Sequence, residues 1–532
     1  MKTTILNILV ATGALMLSSC INDLDVYPKT TPPSKDVYTS VENYNSVLAK
    51  CYASFVIAGQ ELGGGNADLS SNSGYDYMRC YINMQEVPTE ECAYTWIESN
   101  KMTGLTYMSW DADDAWVSDT YYRIYYTISL CNEFLRNATD EALSRFSEEE
   151  QQTLCQYRAE ARFLRALAYY HAMDLYGNIP FVTENDTVGT YTPPRYTRAQ
   201  IFEYIETELT TIEEELSEPA ECEYGRASQG AAWALLARMY LNAEVYTSTP
   251  RYTDCITYCN KIIGAGYSLE PEYAKLFNAD NDKRTNEIIF PLVVDSRYTV
   301  SWGATTYIVC GLVGDNDSTQ NPADYGVTSG WGMFRVRGEL PAKFGYTEGT
   351  TSVADKRAMF HTDGQSMMFS SSIDDKKNGY FATKWSNLKD DGTQASNTAS
   401  YGVDTDFPMF RLADVYLMLA ESVVRGGTGA TASEALGYVN LVRQRAYGDN
   451  SGDITAEEMT VDFFLDERAR ELYWECVRRT DLIRFGKFTS DAYVWQWKGN
   501  SIDGRGVDSK YNLYPIPSTE ISANPNLYNE NY

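Results

Sequence analysis

Histidine is almost absent from this 532-residue sequence, which contains only His171 and His361. Zinc sites and catalytic triads that depend on several imidazole ligands or bases are therefore nearly excluded. Positive charge is also scarce, because 44 Lys and Arg residues stand against 73 Asp and Glu residues, which gives a formal net charge of −29. Such a charge repels phosphate groups, so nucleic acid is excluded as a general partner of the protein.

The sequence also lacks the motifs G-x-x-x-x-G-K-[ST], G-x-G-x-x-G, G-x-S-x-G and H-E-x-x-H, which mark common nucleotide-binding and hydrolytic sites. Three Asp-x-Asp sequences begin like calcium loops, at 111–113, 280–282 and 315–317. They lack the glycine and the terminal glutamate at the required spacing. We therefore predict that the protein is not an enzyme and binds no cofactor. The three acidic loops are predicted to be solvated, and an incidental structural calcium ion is the alternative.

Long apolar runs are missing too, so no segment after residue 20 is predicted to span a membrane. Lys2 and the short apolar run at 5–11 are typical of a secretory signal. Residues 17–20, Leu-Ser-Ser-Cys, resemble a bacterial lipobox, in which the cysteine is lipidated after cleavage. We predict a signal peptide at 1–19 and lipidation of Cys20, with an ordinary signal peptide as the alternative. Two or three acyl chains would anchor the protein stably, since each buried CH₂ contributes about 0.8 kcal/mol.

Ten cysteines follow Cys20, but their spacings form no recognisable disulfide framework and no C-x-x-C occurs. Cys255 and Cys259 are four residues apart and lie on one stripe of a predicted helix. Small buried packing residues are the favoured interpretation, because unpaired cysteine is often found in protein cores. A disulfide remains the alternative, and a zinc site is disfavoured.

Helical periodicity dominates much of the remaining sequence. Ser147 begins a capping box, and the following helix has apolar residues on two faces through 157–175 before Gly177 ends it. Helical hairpins are predicted at 231–263 and 411–446, and their alternating small and aromatic residues resemble degenerate tetratricopeptide repeats. The predicted fold is mainly α: a tetratricopeptide-like helical-hairpin scaffold with long loop-rich insertions and a few short strands.

Composition changes along the chain suggest its organisation. After the signal peptide, a lipidated tether at 20–39 precedes a helical repeat scaffold at 40–269, which has a loop insertion at 61–110. Residues 270–406 are rich in Gly, Asn, Asp, Ser and aromatic residues, and we predict a loop-rich ligand-binding insertion there. Residues 407–532 contain the second hairpin and the C-terminal motifs.

Five short motifs occur in order behind the lipobox. They lie at 128–135, 159–180, 410–421 (beginning Phe-Arg-Leu-Ala-Asp-Val-Tyr), 466–486 (beginning Asp-Glu-Arg-Ala-Arg-Glu-Leu) and 514–527 (beginning Tyr-Pro-Ile-Pro). Together they resemble the SusD-like (RagB/SusD) family of outer-membrane lipoproteins, which capture nutrients at the cell surface. In that family these motifs are structural, so the resemblance implies that Arg468, Glu471 and Arg478 form buried or half-buried ion pairs that hold the C-terminal helix to the repeats.

The resemblance also implies a function. It suggests a glycan-binding lipoprotein, anchored in the outer membrane and facing the exterior, that passes oligosaccharide to a SusC-like TonB-dependent transporter. A peptide- or other non-sugar-binding member of the family is the alternative. A repeat scaffold without any small ligand is disfavoured, because a pure scaffold would not need two long insertions.

The resemblance places the ligand site in the two insertions, where aromatic side chains stack on sugar faces. Aromatic residues are abundant, at 13% of the chain, so part of them are expected at the surface. The candidate ligand-binding residues are Tyr75, Tyr77, Arg79 and Trp96 in the first insertion, and Tyr298, Trp302 and Trp331 in the second. Arg79 is expected to bind sugar hydroxyls at the rim. For each ring the alternative is burial in the core.

Overall fold

The computed structural model describes residues 37–61, 66–69, 75–189, 191–396 and 402–529. The predicted signal peptide, the lipidation site Cys20 and most of the tether lie outside these residues. Within them, seventeen α-helices and eight short strands form the protein, which confirms the mainly α prediction. None of the helices in the described ranges has the length and apolar character needed to cross a membrane.

Helices make up most of the regular structure, and the strands are short. The helices are α1 (Val41–Ala53), α2 (Tyr77–Glu86), α3 (Thr103–Tyr107), α4 (Ala115–Asn137), α5 (Asp140–Leu143), α6 (Glu148–Tyr176), α7 (Arg198–Ile212), α8 (Gln229–Leu241), α9 (Ala243–Thr247), α10 (Tyr252–Gly264), α11 (Ala304–Leu312), α12 (Glu339–Ala342), α13 (Leu412–Val424), α14 (Ala432–Tyr447), α15 (Val461–Leu472), α16 (Arg478–Arg484) and α17 (Ser518–Ala523). The strands are β1 (Ala93–Tyr94), β2 (Ile179–Pro180), β3 (Arg195–Tyr196), β4 (Ile288–Leu292), β5 (Phe334–Arg335), β6 (Phe360–His361), β7 (Phe381–Ala382) and β8 (Phe407–Arg411).

The scaffold is a series of helices in which each packs against the next. α6 lies between α4 and α7, and α8 pairs with α10, α10 with α13, and α13 with α14. The Ser147 capping box begins α6, and Gly177, at φ 74°, follows its last residue. The predicted hairpins are thus confirmed, and the two apolar faces of α6 are explained by its position between neighbours.

Buried ion pairs hold the C-terminal helices to the rest of the protein. The pairs link residues far apart in the chain: Arg468 with Asp414 at 2.7 Å, Glu471 with Arg411 at 2.6 Å, and Arg478 with Glu90 at 2.5 Å. All six side chains are buried. The predicted structural role of these charges is confirmed, because an unpaired charge at such a position would be costly.

The insertion predicted at 61–110 is not simply a loop. It contains α2, and all ten residues of this helix are buried. Likewise α11, within the 270–406 insertion, is buried at all nine positions. The polar residues of α2 lie on one stripe, but they bond to protein groups and not to solvent: Arg79 to the Trp302 carbonyl, Asn83 to the Tyr307 hydroxyl and Glu86 to the Cys476 N–H. Local pattern alone therefore did not reveal that this helix is buried on every side.

The cysteine pair on α10 behaves as a packing pair. Cys255 and Cys259 are both buried, and their sulfur atoms are 4.0 Å apart, twice the length of a disulfide bond, which is about 2.05 Å. Burial also raises the pKa of the Cys259 thiol well above its ordinary value. The prediction of small core residues is therefore confirmed for this pair.

Candidate functional site

Strand pairing joins the two insertions. β1 runs antiparallel to β5, with Tyr94 opposite Phe334. The backbone N–H of Thr95 then donates to the carbonyl of Met333 at 2.9 Å. The residues that flank this short ladder, Trp96 on one side and Trp331 on the other, are therefore brought to the same surface.

A second junction lies at the start of α2. Asp76 is the N-cap of this helix and accepts a hydrogen bond from the backbone of Arg79 at 2.8 Å. The same carboxylate accepts the hydroxyl of Ser301 at 2.6 Å and the backbone N–H of Ala304 at 3.2 Å. Burial raises the pKa of Asp76, and these hydrogen bonds oppose that rise. One side chain thus fixes the segment that contains Trp302.

Gly303 is required for this junction. A Cβ atom at this position would lie 1.7 Å from a carboxylate oxygen of Asp76, which no side chain can do. The absence of a side chain therefore lets the loop approach the N-terminus of α2 closely, and α11 begins at the next residue, Ala304.

These two junctions create an open cavity of about 380 Å³, hereafter the aromatic cavity. Its lining residues come from both insertions: Tyr75, Arg79, Trp96, Asn100, Trp302, Trp331 and Met333. Trp96 is 37% exposed and Trp302 is 43% exposed. Five of the seven residues that the sequence singled out as ligand-binding therefore line one cavity.

The ring planes of the aromatic cavity offer flat apolar surfaces. The Trp302 and Trp331 centroids are 5.9 Å apart, with the planes inclined at 40°. Tyr75 stacks on Trp116 at 5.7 Å with an interplanar angle of 3°. Two inclined indoles form a concave platform, and the apolar face of a pyranose ring packs well on such surfaces while its hydroxyls reach polar groups at the edge.

Arg79 supports the platform more than it forms a rim. Its guanidinium carbon lies 3.4 Å from the Tyr75 ring centroid and 4.1 Å from that of Tyr307. One of its terminal nitrogens donates to the carbonyl of Trp302 at 2.6 Å. The side chain is 3% exposed, so it holds Tyr75 and Trp302 in place. Its contact with a ligand stays a prediction.

Two of the predicted site residues do not line the cavity. Tyr77 is fully buried, and its hydroxyl shares a hydrogen bond of 2.8 Å with Nδ1 of His171. Tyr77 therefore does not line the cavity, because its ring faces the core side of α2, and its role in ligand binding stays a prediction. Tyr298 is 74% exposed but lies outside the lining of the aromatic cavity, and its role stays a prediction.

Asn100 and Met333 also line the cavity but were not predicted. Asn100 follows Trp96 by four residues, and its carbonyl accepts the indole N–H of Trp116 at 2.8 Å, which fixes the turn after Trp96. Met333 reaches the site only through the β1–β5 pairing. No pattern of polar or apolar residues marks either position, although the short distance from Trp96 was a usable signal for Asn100.

One of the three acidic loops is paired with a lysine from a distant part of the chain. The carboxylates of Asp315 and Asp317 bind the amine of Lys376 at 2.6 and 2.9 Å. Among the residues that the structure describes, no group of three or more His, Cys, Asp or Glu side chains could hold a metal ion. The absence of a cofactor stays a prediction.

Comparisons with known proteins decide the family. Residues 234–532 match the family model described as "SusD family", and residues 72–241 match one described as "Starch-binding associating with outer membrane". The chain is 34% identical to the starch-binding protein SusD of Bacteroides thetaiotaomicron, over 98% of each chain. The chain belongs to the SusD family. The family resemblance inferred from the five motifs is thereby confirmed.

The chain is also similar to further proteins of known sequence or structure. The SusD-like protein P25 of Formosa agariphila is 28% identical, over 77% of this chain and 78% of its own. A solved structure of surface glycan-binding protein A from Bacteroides thetaiotaomicron in complex with laminarihexaose aligns with a TM-score of 0.68 at 20% identity, over 93% of this chain and all of its own (100%). A SusD homologue from the same organism gives a TM-score of 0.71 at 18% identity, over 94% and 99%. These structures confirm the predicted fold.

Proposed function

We propose that this protein binds oligosaccharides from a nutrient polysaccharide at the cell surface and delivers them to a SusC-like TonB-dependent transporter, without cleaving them. The observation that supports this most directly is the aromatic cavity. Three tryptophans and a tyrosine from two separate insertions meet there at a solvent-accessible surface. Large exposed rings are costly unless a ligand covers them, and a sugar face is the apolar partner that suits flat, inclined indoles.

Similar proteins support the same ligand class. SusD of Bacteroides thetaiotaomicron is named as starch-binding, and a structural neighbour was solved with laminarihexaose. The polar groups of the cavity, the amide of Asn100 and the guanidinium of Arg79, are few and lie beside the rings. A few fixed polar groups among apolar rings are the usual composition of a sugar or small-molecule site.

We also propose that Cys20 anchors the protein by lipid in the outer membrane, facing the exterior. The lipobox at 17–20 and the family description that mentions the outer membrane support this location. The transporter partner is implied by the family. Co-purification from solubilised outer membranes tests it, with recovery of a SusC-like protein expected. Native protein that purifies without any such transporter would contradict the partnership.

A binding panel tests the ligand class. The purified protein would be titrated calorimetrically with starch, laminarin and other neutral polysaccharides, and with a mixture of short peptides. We expect saturable binding of at least one polysaccharide and none of the peptides. No reducing ends should appear on prolonged incubation, since the proposal is binding without hydrolysis. Binding of peptides alone would favour the other branch of the family, and hydrolysis that depends on an Asp or Glu would overturn the non-enzymatic assignment.

A further inference from the structure

A second concave surface adjoins the aromatic cavity at Trp96. It has a volume of about 390 Å³, and we refer to it as the polar cavity. Its lining consists of Thr95, Trp96, Ile97, Glu98, Ser99, Tyr107, Ser372 and Asp374. Trp96 lines both cavities, so its half-exposed indole forms the ridge between them, and a chain-like ligand that covers this ring can continue on either side.

The polar cavity is built from three segments held by the core. The 95–99 segment continues from β1, and Tyr107 ends α3, where its ring lies 6.0 Å from that of Trp497. On the opposite wall Ile373 is fully buried, whereas its neighbours Ser372 and Asp374 are exposed. A buried residue between two exposed ones fixes the loop and turns both polar side chains outward.

Charges from two walls meet at Tyr107. Burial raises the pKa of its phenol, the carboxylates of Asp374 and Glu98 raise it further, and the buried guanidinium of Arg337 opposes them. The two acids therefore lie close to one ring although they are far apart in the chain. The hydroxyl of Ser372 donates to the carboxylate of Asp374, and that of Ser99 donates to the carbonyl of Trp96 at 3.3 Å. The remaining acceptor sites of the two carboxylates and the Tyr107 phenol can bind a ligand rich in hydroxyl groups.

The lining residues of the polar cavity also exclude a ligand class. They comprise two acids and no Lys or Arg, on a chain with a net charge of −29. A uronic acid or a sulfated sugar placed there would meet like charge from two carboxylates, which the single buried cation near Tyr107, Arg337, offsets only in part. A neutral sugar would donate its hydroxyls to the carboxylates, and hydrogen bonds to charged acceptors are stronger than those between neutral groups.

We infer that the ligand is a neutral oligosaccharide that passes over Trp96, with one part stacked in the aromatic cavity and the following part hydrogen-bonded by Glu98 and Asp374 in the polar cavity. This inference rests on the proposed function, since it specifies the length and charge of the same ligand. It assigns Glu98 and Asp374 as specificity-determining residues that act only on ligands long enough to reach them.

The test is a length series measured by calorimetry with maltooligosaccharides and laminarioligosaccharides, from the disaccharide to the octasaccharide. The variants are the double substitution Glu98→Ala with Asp374→Ala, and a charge-matched control, Glu214→Ala with Glu457→Ala, on exposed acids of the scaffold. We expect the double variant to lose about tenfold in affinity for the octasaccharide, as for two lost hydrogen bonds, and none for the shortest ligand that binds. The control should match the wild type at every length.

Each result has a separate meaning. If the wild type binds neither series at any length, the proposed function and the inference both fail for these sugars. Only the inference fails if the wild type binds but the double variant has wild-type affinity for octasaccharides. The same conclusion follows if the double variant loses affinity equally for short and long ligands. An oligogalacturonide of equal length should bind at least about tenfold more weakly than the best neutral octasaccharide, and equal affinity would also overturn the inference. Both acids are exposed, so the melting temperature should not change.

Discussion

Replacing Trp302 by alanine should weaken oligosaccharide binding by ten- to hundredfold while the protein stays folded. Trp302 is 43% exposed, so about 110 Å² of a tryptophan surface of about 250 Å² can be covered by a ligand. Removing that area from water at about 25 cal/mol/Å² is worth about 2.7 kcal/mol. A sugar that covers one face of the indole reaches about half of that area. The expected loss of binding free energy therefore lies between about 1.3 and about 2.7 kcal/mol, which corresponds to about ten- to hundredfold in Kd.

The assay is calorimetric titration of the wild type and Trp302→Ala with the same bound oligosaccharide, together with melting curves. The melting temperature should fall by no more than about 3 °C, because the ring lies outside the continuous core and the chain is long. Tyr191→Ala serves as a control, since Tyr191 is 41% exposed but lies between β2 and β3, away from the lining of the cavity. Trp96→Ala should behave as Trp302→Ala does. Unchanged affinity in both tryptophan variants, or a loss that only accompanies unfolding, would refute the reasoning.

Three further predictions concern the supports of the site, the core and the anchor. Gly303→Ala should lower both the melting temperature and the ligand affinity, because its Cβ would overlap Asp76; a variant with wild-type affinity would contradict the role of this junction. Arg478→Met should lower the free energy of unfolding by about 3 to 5 kcal/mol at pH 7, because it leaves Glu90 charged and buried. Burial alone would raise the pKa of Glu90, but Arg478 holds it at about 2, against an ordinary 4.5. The difference in the free energy of unfolding between wild type and variant should therefore be full above pH 4.5 and shrink as the pH falls towards 2. Urea unfolding at several pH values would measure this difference. Cys20→Ala should release the protein into the soluble fraction with its ligand affinity unchanged, and firm retention in the membrane fraction would exclude the lipid anchor.

The helical scaffold could be predicted because its information is local. The Ser147 capping box, the glycine after α6 and the repeated apolar faces of α8, α10, α13 and α14 each occupy a short stretch of sequence. Helix ends and hydrophobic periodicity depend on residues three or four positions apart. The family motifs are also short stretches of sequence. Their Arg and Glu residues were predicted to form ion pairs because an unpaired buried charge is costly.

The site was predictable in its residue types and only partly in its members. Exposed tryptophans in glycine- and serine-rich segments indicated Trp96 and Trp302 correctly as surface rings, and the structure brings them into one cavity. Tyr77 is a core residue instead, because long-range packing buries α2 on every side, including the polar stripe that a local pattern would assign to the surface.

Tertiary structure alone decided which residues meet. Thr95 and Met333 are bonded across 238 positions, and Asp76 reaches Ser301 and Ala304 across similar separations. No local pattern encodes such contacts, because they result from how the two insertions fold onto the scaffold and satisfy each other's buried polar groups. The sequence by itself determined the scaffold helices, the charge and the abundance of aromatic rings, whereas long-range contacts selected the few rings that form a cavity and placed two acids beside them.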